Sequence, residues 1–303
     1  MISKFRIGAL VIILNFFASV AMIWGQDNPS LLQMAVPSLN IAPDARGGGM
    51  GDMGAATLPD INSQYWNAAK YAFMGSKAGV SLSYTPWLRK LVNDVALVNM
   101  TGYYKLGNSD LQAISASLRY FSLGEVNIWE NIGDVPYGLN PYEMAFDVAY
   151  SRKLSESYSM AVTLRYIRSD MGTDQNEESN AGNAFAADIS GYLEKYVLMG
   201  NAEALWSFGF NLSNIGSKIS YDGGNTNQYL PAKLTLGTGL LYPIDDYNQI
   251  GVYLDLNKYM VPYAPQKEEG ETDADYQTRV DDYKSWSSLS GMLKSFTDSP
   301  NGL

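Results

Sequence analysis

Hydrophobic and polar residues alternate along most of the chain with a period of two, which is typical of β-strands. The clearest apolar faces are Tyr158, Met160, Val162, Leu164 and Tyr166; Trp206, Phe208, Phe210 and Leu212; Leu234, Leu236, Leu240 and Tyr242; Met144, Phe146, Val148 and Tyr150; and Ile250, Val252, Leu254 and Leu256. The pattern predicts about nine strands. They are at residues 78–85, 95–106, 111–121, 144–153, 158–168, 184–196, 205–215, 232–242 and 249–259.

The second face of each predicted strand is small or polar, as with Ser159, Thr163 and Arg165 behind the face that begins at Tyr158. The solvent-exposed face of a soluble β-sandwich would carry more charge than these runs of Ser, Gly, Ala and Thr. Tyr or Trp begins or ends several apolar faces, which suits the aromatic girdles of a membrane barrel. We therefore predict an all-β fold, a transmembrane antiparallel outer-membrane β-barrel.

The connections between the predicted strands alternate in length. Short turns are expected at residues 107–110, 155–157, 199–204 and 243–248, and longer polar loops at 124–143, 169–183, 216–231 and from 260 onward. Outer-membrane barrels have short periplasmic turns and long extracellular loops. The first strand is therefore expected to run outward, and the segment before it to lie on the periplasmic side or in the lumen.

The first residues have the pattern of an export signal. Lys4 and Arg6 precede an almost wholly apolar run at residues 7–23, and Gly25 offers a small residue for cleavage. We predict a signal peptide at residues 1–25; an N-terminal membrane helix is the alternative, because the run approaches the length that spans a bilayer.

Composition narrows the class of function further. The chain has no His and no Cys, so the commonest general base, His- or Cys-based nucleophiles and the usual zinc ligands are missing. Its net charge of −10 disfavours binding to nucleic acid. We expect no enzymatic activity, no cofactor and no metal.

Single acidic residues occur on separate predicted strands at Asp147, Asp188 and Asp255. An enzyme that works through carboxylates would need a paired arrangement. We expect these acids to face the lumen as partners of Arg119 and Arg165 instead.

A glycine-rich stretch precedes the first strand. Residues 49–54 match the G-x-G-x-x-G dinucleotide fingerprint, but the preceding strand and the helix that opens within the motif are lacking, and Pro43 and Pro59 flank the match. We expect instead a close backbone approach, then one short helix capped by Asp60 or Asn62. Its apolar side would consist of Tyr65, Trp66, Ala69 and Phe73.

This stretch also resembles the N-terminal signature of a known family. The matching residues are Pro43-Asp44-Ala45-Arg46, the glycines Gly48, Gly49, Gly51 and Gly54, and residues 62–70, NSQYWNAAK, where the family usually has Asn-Pro-Ala at Asn67-Ala68-Ala69. They resemble the PorV (LptO) family, outer-membrane shuttle proteins of the type IX secretion system with a fold similar to FadL-type channels. The resemblance extends from about residue 42 onward.

The resemblance implies a domain organisation. Residues 26–77 would form a glycine-rich plug with a short helix, and residues 78–303 a partial barrel. Residues 260–303 would form an extracellular loop that is strongly acidic at 266–284. That acidic stretch is either a solvated helix or a site for a basic partner. Because FadL-like barrels have about 14 strands and an odd strand count leaves open edges, the sequence is expected to be a fragment that lacks about five C-terminal strands.

The resemblance also implies a function. The protein would receive secreted cargo by its C-terminal β-domain from the translocon and carry it to the attachment complex with the sortase-like PorU, in contact with outer-membrane lipid. The residues expected to bind cargo or hold the plug are Pro43, Asp44, Arg46, Gly49, Gly51, Asn62, Trp66 and Asn67. The alternative is a FadL-like channel for hydrophobic small molecules.

Overall fold

The computed structural model describes residues 32–87, 89–90, 94–107, 110–128, 136–172, 181–200, 202–224, 226–268 and 270–297. The predicted signal peptide, residues 1–25, lies outside these residues, as do parts of the predicted loops 124–143 and 169–183.

Nine strands form one antiparallel sheet in the order β1-β2-β3-β6-β7-β8-β9-β10-β11. They are β1 (Ala78–Pro86), β2 (Val95–Leu106), β3 (Gln112–Leu123), β6 (Tyr142–Lys153), β7 (Tyr158–Asp170), β8 (Gly182–Met199), β9 (Ala202–Gly216), β10 (Lys233–Pro243) and β11 (Gln249–Tyr259). Each of these nine strands pairs with the next of the nine along the chain. The predicted all-β fold is confirmed, as an open sheet in which β1 and β11 are the end strands among the described residues.

Several predicted boundaries need correction. β8 continues to Met199 and β9 starts at Ala202, so the turn expected over residues 199–204 is much shorter. The loop expected after β3 contains a hairpin of β4 (Val126–Ile128) and β5 (Tyr137–Leu139), which the sequence pattern did not predict. Strands of two or three residues are too short for a visible alternation.

The two faces of the sheet carry the expected residues. On β7, Leu164 is 66% exposed whereas its neighbour Thr163 is 2% exposed. Exposed apolar residues on the outer face include Val80, Leu82, Phe146, Val148, Val162, Phe208, Val252 and Leu256. The inner face buries polar residues, among them Asn99, Thr101, Ser117, Asp147, Arg165, Asp188 and Asn211. An apolar outside and a polar inside are typical of membrane barrels.

The N-terminal segment buries this polar inner face. It consists of a 3₁₀ turn (Pro37–Asn40), a short helix (Ala45–Gly49), a second short helix (Ser63–Trp66) and a 3₁₀ helix (Ala68–Phe73). Residues 35–39 pack near the ends of the strands that join the longer connections, which we call the long-loop end. Residues 68–74 pack near the other end, the short-turn end, beside Tyr103, Ala113 and Tyr192. The segment therefore spans the inner face from end to end.

Two further helices, Asp273–Ser285 and Ser288–Lys294, follow β11. The region expected as an acidic loop is thus largely helical. The first of these helices buries no residue, as expected for a solvated helix. No helix in the described part of the chain has both the length and the apolar character needed to cross a membrane.

Candidate functional site

The glycine-rich stretch is organised around the indole of Trp66. Asp44 precedes the helix Ala45–Gly49 and caps it, because its Oδ1 accepts a hydrogen bond of 2.8 Å from the amide of Gly47. Its other oxygen, Oδ2, accepts one of 2.8 Å from Nε1 of Trp66. Asp44 and Trp66 are both buried, so one carboxylate joins the two short helices.

Two glycines make room for this indole. A Cβ on Gly47 or on Gly54 would overlap the Trp66 ring, so a larger residue at either position requires the ring to move. The sequence analysis singled out Gly49 and Gly51, and neither touches the indole. Gly49 has open space around its Cα, and Gly51 has a φ of +80°, which favours glycine in the turn that follows the helix.

The expected single helix is wrong, because Asn67 divides it. Its backbone is extended, and its side chain makes three hydrogen bonds. Nδ2 donates to the carbonyls of Ala55 and of Gly191 on β8, both at 2.9 Å, while Oδ1 accepts from the amide of Ala69 at 3.1 Å. Asn67 is fully buried and holds the helix end, the preceding loop and the sheet together.

The predicted caps act differently from expectation. Asn62 stands before the helix Ser63–Trp66, but its side chain makes no capping bond. Asp60 accepts from the amide of Asn62 at 2.9 Å and forms an ion pair with Arg46. That pair is partly exposed and therefore contributes little to stability.

Residues 54–56 rest directly on the sheet. The amides of Gly54 and Ala55 donate to Oδ2 of Asp255 on β11, at 2.8 and 3.0 Å. A Cβ on Gly209 of β9 would overlap the carbonyl of Ala55, so the loop lies in direct contact with the backbone of β9.

Pro43, another of the predicted site residues, contacts the first strand. Its carbonyl accepts a hydrogen bond of 2.5 Å from the hydroxyl of Ser83 on β1.

Lys70 also belongs to this buried arrangement, although it was not among the predicted site residues. Its side chain is fully buried, and its Nζ donates to the carbonyl of Gly54 at 2.8 Å and to Oγ1 of Thr57 at 3.1 Å. Burial lowers the pKa of the ammonium group to about 8. The sequence does contain one indication of a buried charge: Lys70 is the one charged residue among the small and aromatic residues of 67–73, NAAKYAF.

The acidic residues of the inner face belong to a buried network. Arg165 donates to Asp147 at 3.3 Å and to Asp188 at 2.8 Å, and Gln64 of the N-terminal segment donates to Asp147. The expectation that Asp147 and Asp188 pair with an arginine is therefore correct.

The same expectation fails for Asp255 and Arg119. Asp255 binds loop amides, as described above, and Arg119 donates to the carbonyl of Ser38 at 2.6 Å. The Arg119 guanidinium also lies 4.6 Å from the centre of the Tyr65 ring. Within the part of the chain that the structure describes, Arg119 forms no ion pair.

A small polar cavity remains between the segment and the sheet. Tyr65, Arg119, Asp147, Arg165, Lys233 and Asp255 are among the residues that line it. Its volume of ≈ 30 Å³ is enough for about two water molecules. Over the described residues, no group of three or more acidic side chains is placed to hold a metal ion.

The family model described as "Type IX secretion system protein PorV" matches residues 25–267. The chain belongs to the PorV family. The PorV match covers all the strands and the entire inner-face segment, so it includes the features described above. It identifies the chain as an outer-membrane component of type IX secretion, from a family of secretion proteins that is not a known enzyme family. No curated protein matches the chain significantly.

Proposed function

We propose that this PorV-family protein binds secreted cargo through its C-terminal β-domain and carries it from the translocon to the surface attachment complex that contains PorU. In this proposal residues 1–25 are a cleaved signal peptide. The short-turn end faces the periplasm, the long-loop end faces outward, and the apolar outer face contacts outer-membrane lipid.

The observation that carries the proposal is the filled inner face. Asp255 accepts a hydrogen bond from the amide of Gly54, and Asn67, Gln64 and Ser207 donate across the same boundary; these bonds fix residues 54–67 against the strands. A protein whose inner face is filled in this way is suited to bind partners at its ends rather than to pass solutes through its centre. The known role of the family in type IX secretion supplies the class of partner.

The channel alternative requires an apolar pocket beside the plug. The cavity between the plug and the inner face is lined by charged side chains and has room for water rather than an acyl chain. A larger pocket of ≈ 540 Å³ lies between residues 40–52 and residues 84–87, at the end of β1. Because the cavity on the inner face is small and polar, we propose no transport function.

We further propose that the family-motif candidates Pro43, Asp44, Arg46, Gly49, Gly51, Asn62, Trp66 and Asn67 hold the plug in place and do not contact cargo directly. Asp44, Trp66 and Asn67 are buried, and their polar atoms bond to the plug or the sheet. Cargo contact is expected at the long-loop end, where the helix Ser288–Lys294 exposes Leu289 and Leu293.

The test is to purify the tagged full-length protein from detergent-solubilised outer membranes and to identify its companions by mass spectrometry. We expect secreted proteins that share a C-terminal β-domain, together with PorU. A Leu289→Asp/Leu293→Asp variant should lose these companions, whereas Tyr247→Ser, which changes an exposed aromatic residue in a short turn, should retain them. Recovery of the protein without cargo, and normal secretion after its deletion, would contradict the proposal.

A further inference from the structure

Residues 34–40, which we call the strap, are bound at the long-loop end much as a peptide ligand is bound. The strap's Met34 pairs with Tyr229 in a parallel bridge, and the amide of Ala35 donates to the carbonyl of Tyr229 at 2.9 Å. Main-chain pairing of this kind is how many domains capture an extended segment.

Two aliphatic side chains anchor the strap. Val36 is 1% exposed and Leu39 is 6% exposed. They belong to one apolar cluster whose other members, from the strands and the connections around them, are Ala145, Ile167, Ala184, Ala186, Ile219 and Leu230. The anchors are three residues apart, and the 3₁₀ turn Pro37–Asn40 brings them to the same side of the chain.

Two charged side chains form hydrogen bonds to the peptide backbone between the anchors. The amide of Ser38 donates to Oε2 of Glu143 at 3.0 Å, and the carbonyl of Ser38 accepts from Nη1 of Arg119 at 2.6 Å. Glu143 on β6 and Arg119 on β3 lie on paired strands. These groups recognise a backbone N–H and C=O, which any peptide segment can present.

The fit of the strap is imperfect. Val36 has a φ of 52°, a left-handed conformation that a β-branched residue rarely adopts. On the site, Nη2 of Arg119 and Oε1 of Glu143 are buried without a hydrogen-bond partner among the described residues, and Oδ1 of Asn40 in the strap itself is in the same state. Arg119 and Glu143 can therefore each form a further hydrogen bond that the strap does not provide. The strap in turn occupies the site with a strained backbone at Val36.

We propose that the strap is a resident stand-in for a segment of a protein partner, which displaces it from this site. The incoming segment would be a peptide with aliphatic residues three positions apart, turned as the strap is so that both side chains lie on one side, with a free backbone N–H and C=O between them. It would pair with Tyr229 and be gripped by Arg119 and Glu143. That the partner is a secreted cargo protein rests on the proposed function; the peptide-binding site does not.

The absence of Cys from the sequence allows a direct test. Met34→Cys/Tyr229→Cys places two thiols on backbone partners of one bridge, a separation suited to a disulfide. The probe is a fluorescent synthetic peptide of residues 32–41, LQMAVPSLNI, and its binding to the full-length protein in detergent is followed by anisotropy. The reduced protein should bind the peptide at least about tenfold more tightly than the oxidised protein, whose site cannot be vacated.

Two matched variants sharpen the test. Leu39→Ser in the protein weakens the resident strap and should increase peptide affinity, whereas Leu39→Ser in the peptide should abolish binding. Arg119→Ala in the reduced protein should weaken binding because it removes the donor to the gripped carbonyl. Equal binding by the reduced and oxidised proteins, or binding that ignores the Leu39 substitution in the peptide, would overturn the proposal.

The experiment separates this inference from the proposed function. If the reduced protein binds the peptide more tightly than the oxidised protein, but no cargo is recovered with it, the peptide-binding site is supported and the shuttle proposal is not. Cargo recovered equally with the oxidised and reduced proteins would support the shuttle and overturn the proposal that cargo displaces the strap.

Discussion

Asn67 and Thr272 perform the same local task in two very different regions. Each caps a helix through a side-chain oxygen: Asn67 accepts from the amide of Ala69 at 3.1 Å, and Thr272 from the amide of Asp275 at 3.2 Å. Asn67 is fully buried and also bonds to two distant carbonyls, whereas the helix that Thr272 begins has no buried residue. The contribution of each cap to the free energy of unfolding should therefore depend on its surroundings rather than on the capping motif.

The same difference in surroundings holds between the whole plug and the helix Asp273–Ser285, which we call the acidic helix. The plug is held by bonds between residues far apart in sequence, such as Asn211 with Trp66 and Ser207 with Ala56. The acidic helix uses mainly local contacts, such as the ion pairs of Arg279 with the exposed Glu268 and the half-buried Glu271. We expect the plug to unfold with the sheet and the helix to unfold independently.

The largest effect is expected for Asn67→Ala. The change removes the donor to the carbonyls of Ala55 and Gly191 and the acceptor for the amide of Ala69 in a buried site. The free energy of unfolding should fall by roughly 4 kcal/mol, since each unsatisfied buried group costs about 1–3 kcal/mol. Urea unfolding in detergent, followed by tryptophan fluorescence, measures it. Asn62→Ala is the control, because the Asn62 side chain makes no capping bond; a similar loss there would contradict the assignment.

How much of this was visible in the sequence depends on the range of the interactions. The strands were predictable because alternation is local, and the edges of β2 and β11 agree with the pattern to the residue. The hairpin of β4 and β5 was missed, since three residues carry too little pattern. The resemblance rests on residues within 42–73 and includes Asp44, Trp66 and Asn67; in the structure Asp44 accepts a hydrogen bond from the Trp66 indole, and Asn67 follows Trp66 directly.

The sequence did not distinguish the glycines that touch Trp66 from those that do not. That distinction depends on where the indole lies, which is fixed by Asp44 and by the carbonyl of Trp66 accepting from Asn211 on β9. The partners of Arg119 and Lys70 were missed for the same reason. Both donate to backbone carbonyls, and a carbonyl has no signature in a sequence.

The second prediction concerns pH and Lys70. Folding lowers its pKa from 10.5 to about 8 through burial, so between these values the unfolded chain binds more protons than the folded one. Stability should therefore rise with pH across this window, by at most about 1.4 kcal/mol per pH unit and roughly 3 kcal/mol in total. Urea unfolding at several pH values measures the slope.

Two variants identify the group responsible. Lys70→Met should remove the slope, and Lys77→Met should keep it, because Lys77 is half-exposed at the surface. A slope that survives in Lys70→Met would assign the pH dependence to other groups.

The third prediction uses two glycines of the plug. Gly54→Ala should destabilise the protein by about 2 kcal/mol, because the new methyl group overlaps the Trp66 ring in a packed site. Gly49→Ala is the matched change, and it should be neutral or stabilising by up to about 1 kcal/mol, because Gly49 lies at a helical position with open space. Thermal unfolding of the two variants measures the difference. Equal effects would mean that the indole does not occupy this position.

The smallest effect is expected for Thr272→Ala, the counterpart of Asn67→Ala. Removing the cap should cost the helix Asp273–Ser285 about 1 kcal/mol, and Asp273 and Asp275 in its first turn still favour the helix dipole. The global free energy of unfolding should change by less than about 0.5 kcal/mol, because the helix buries nothing in the sheet. Hydrogen exchange should therefore become faster at the amides of 273–285 and stay unchanged at Asn67 and Ala69. Faster exchange at both places would show that the acidic helix and the plug unfold as one unit, and that burial alone does not separate the two caps.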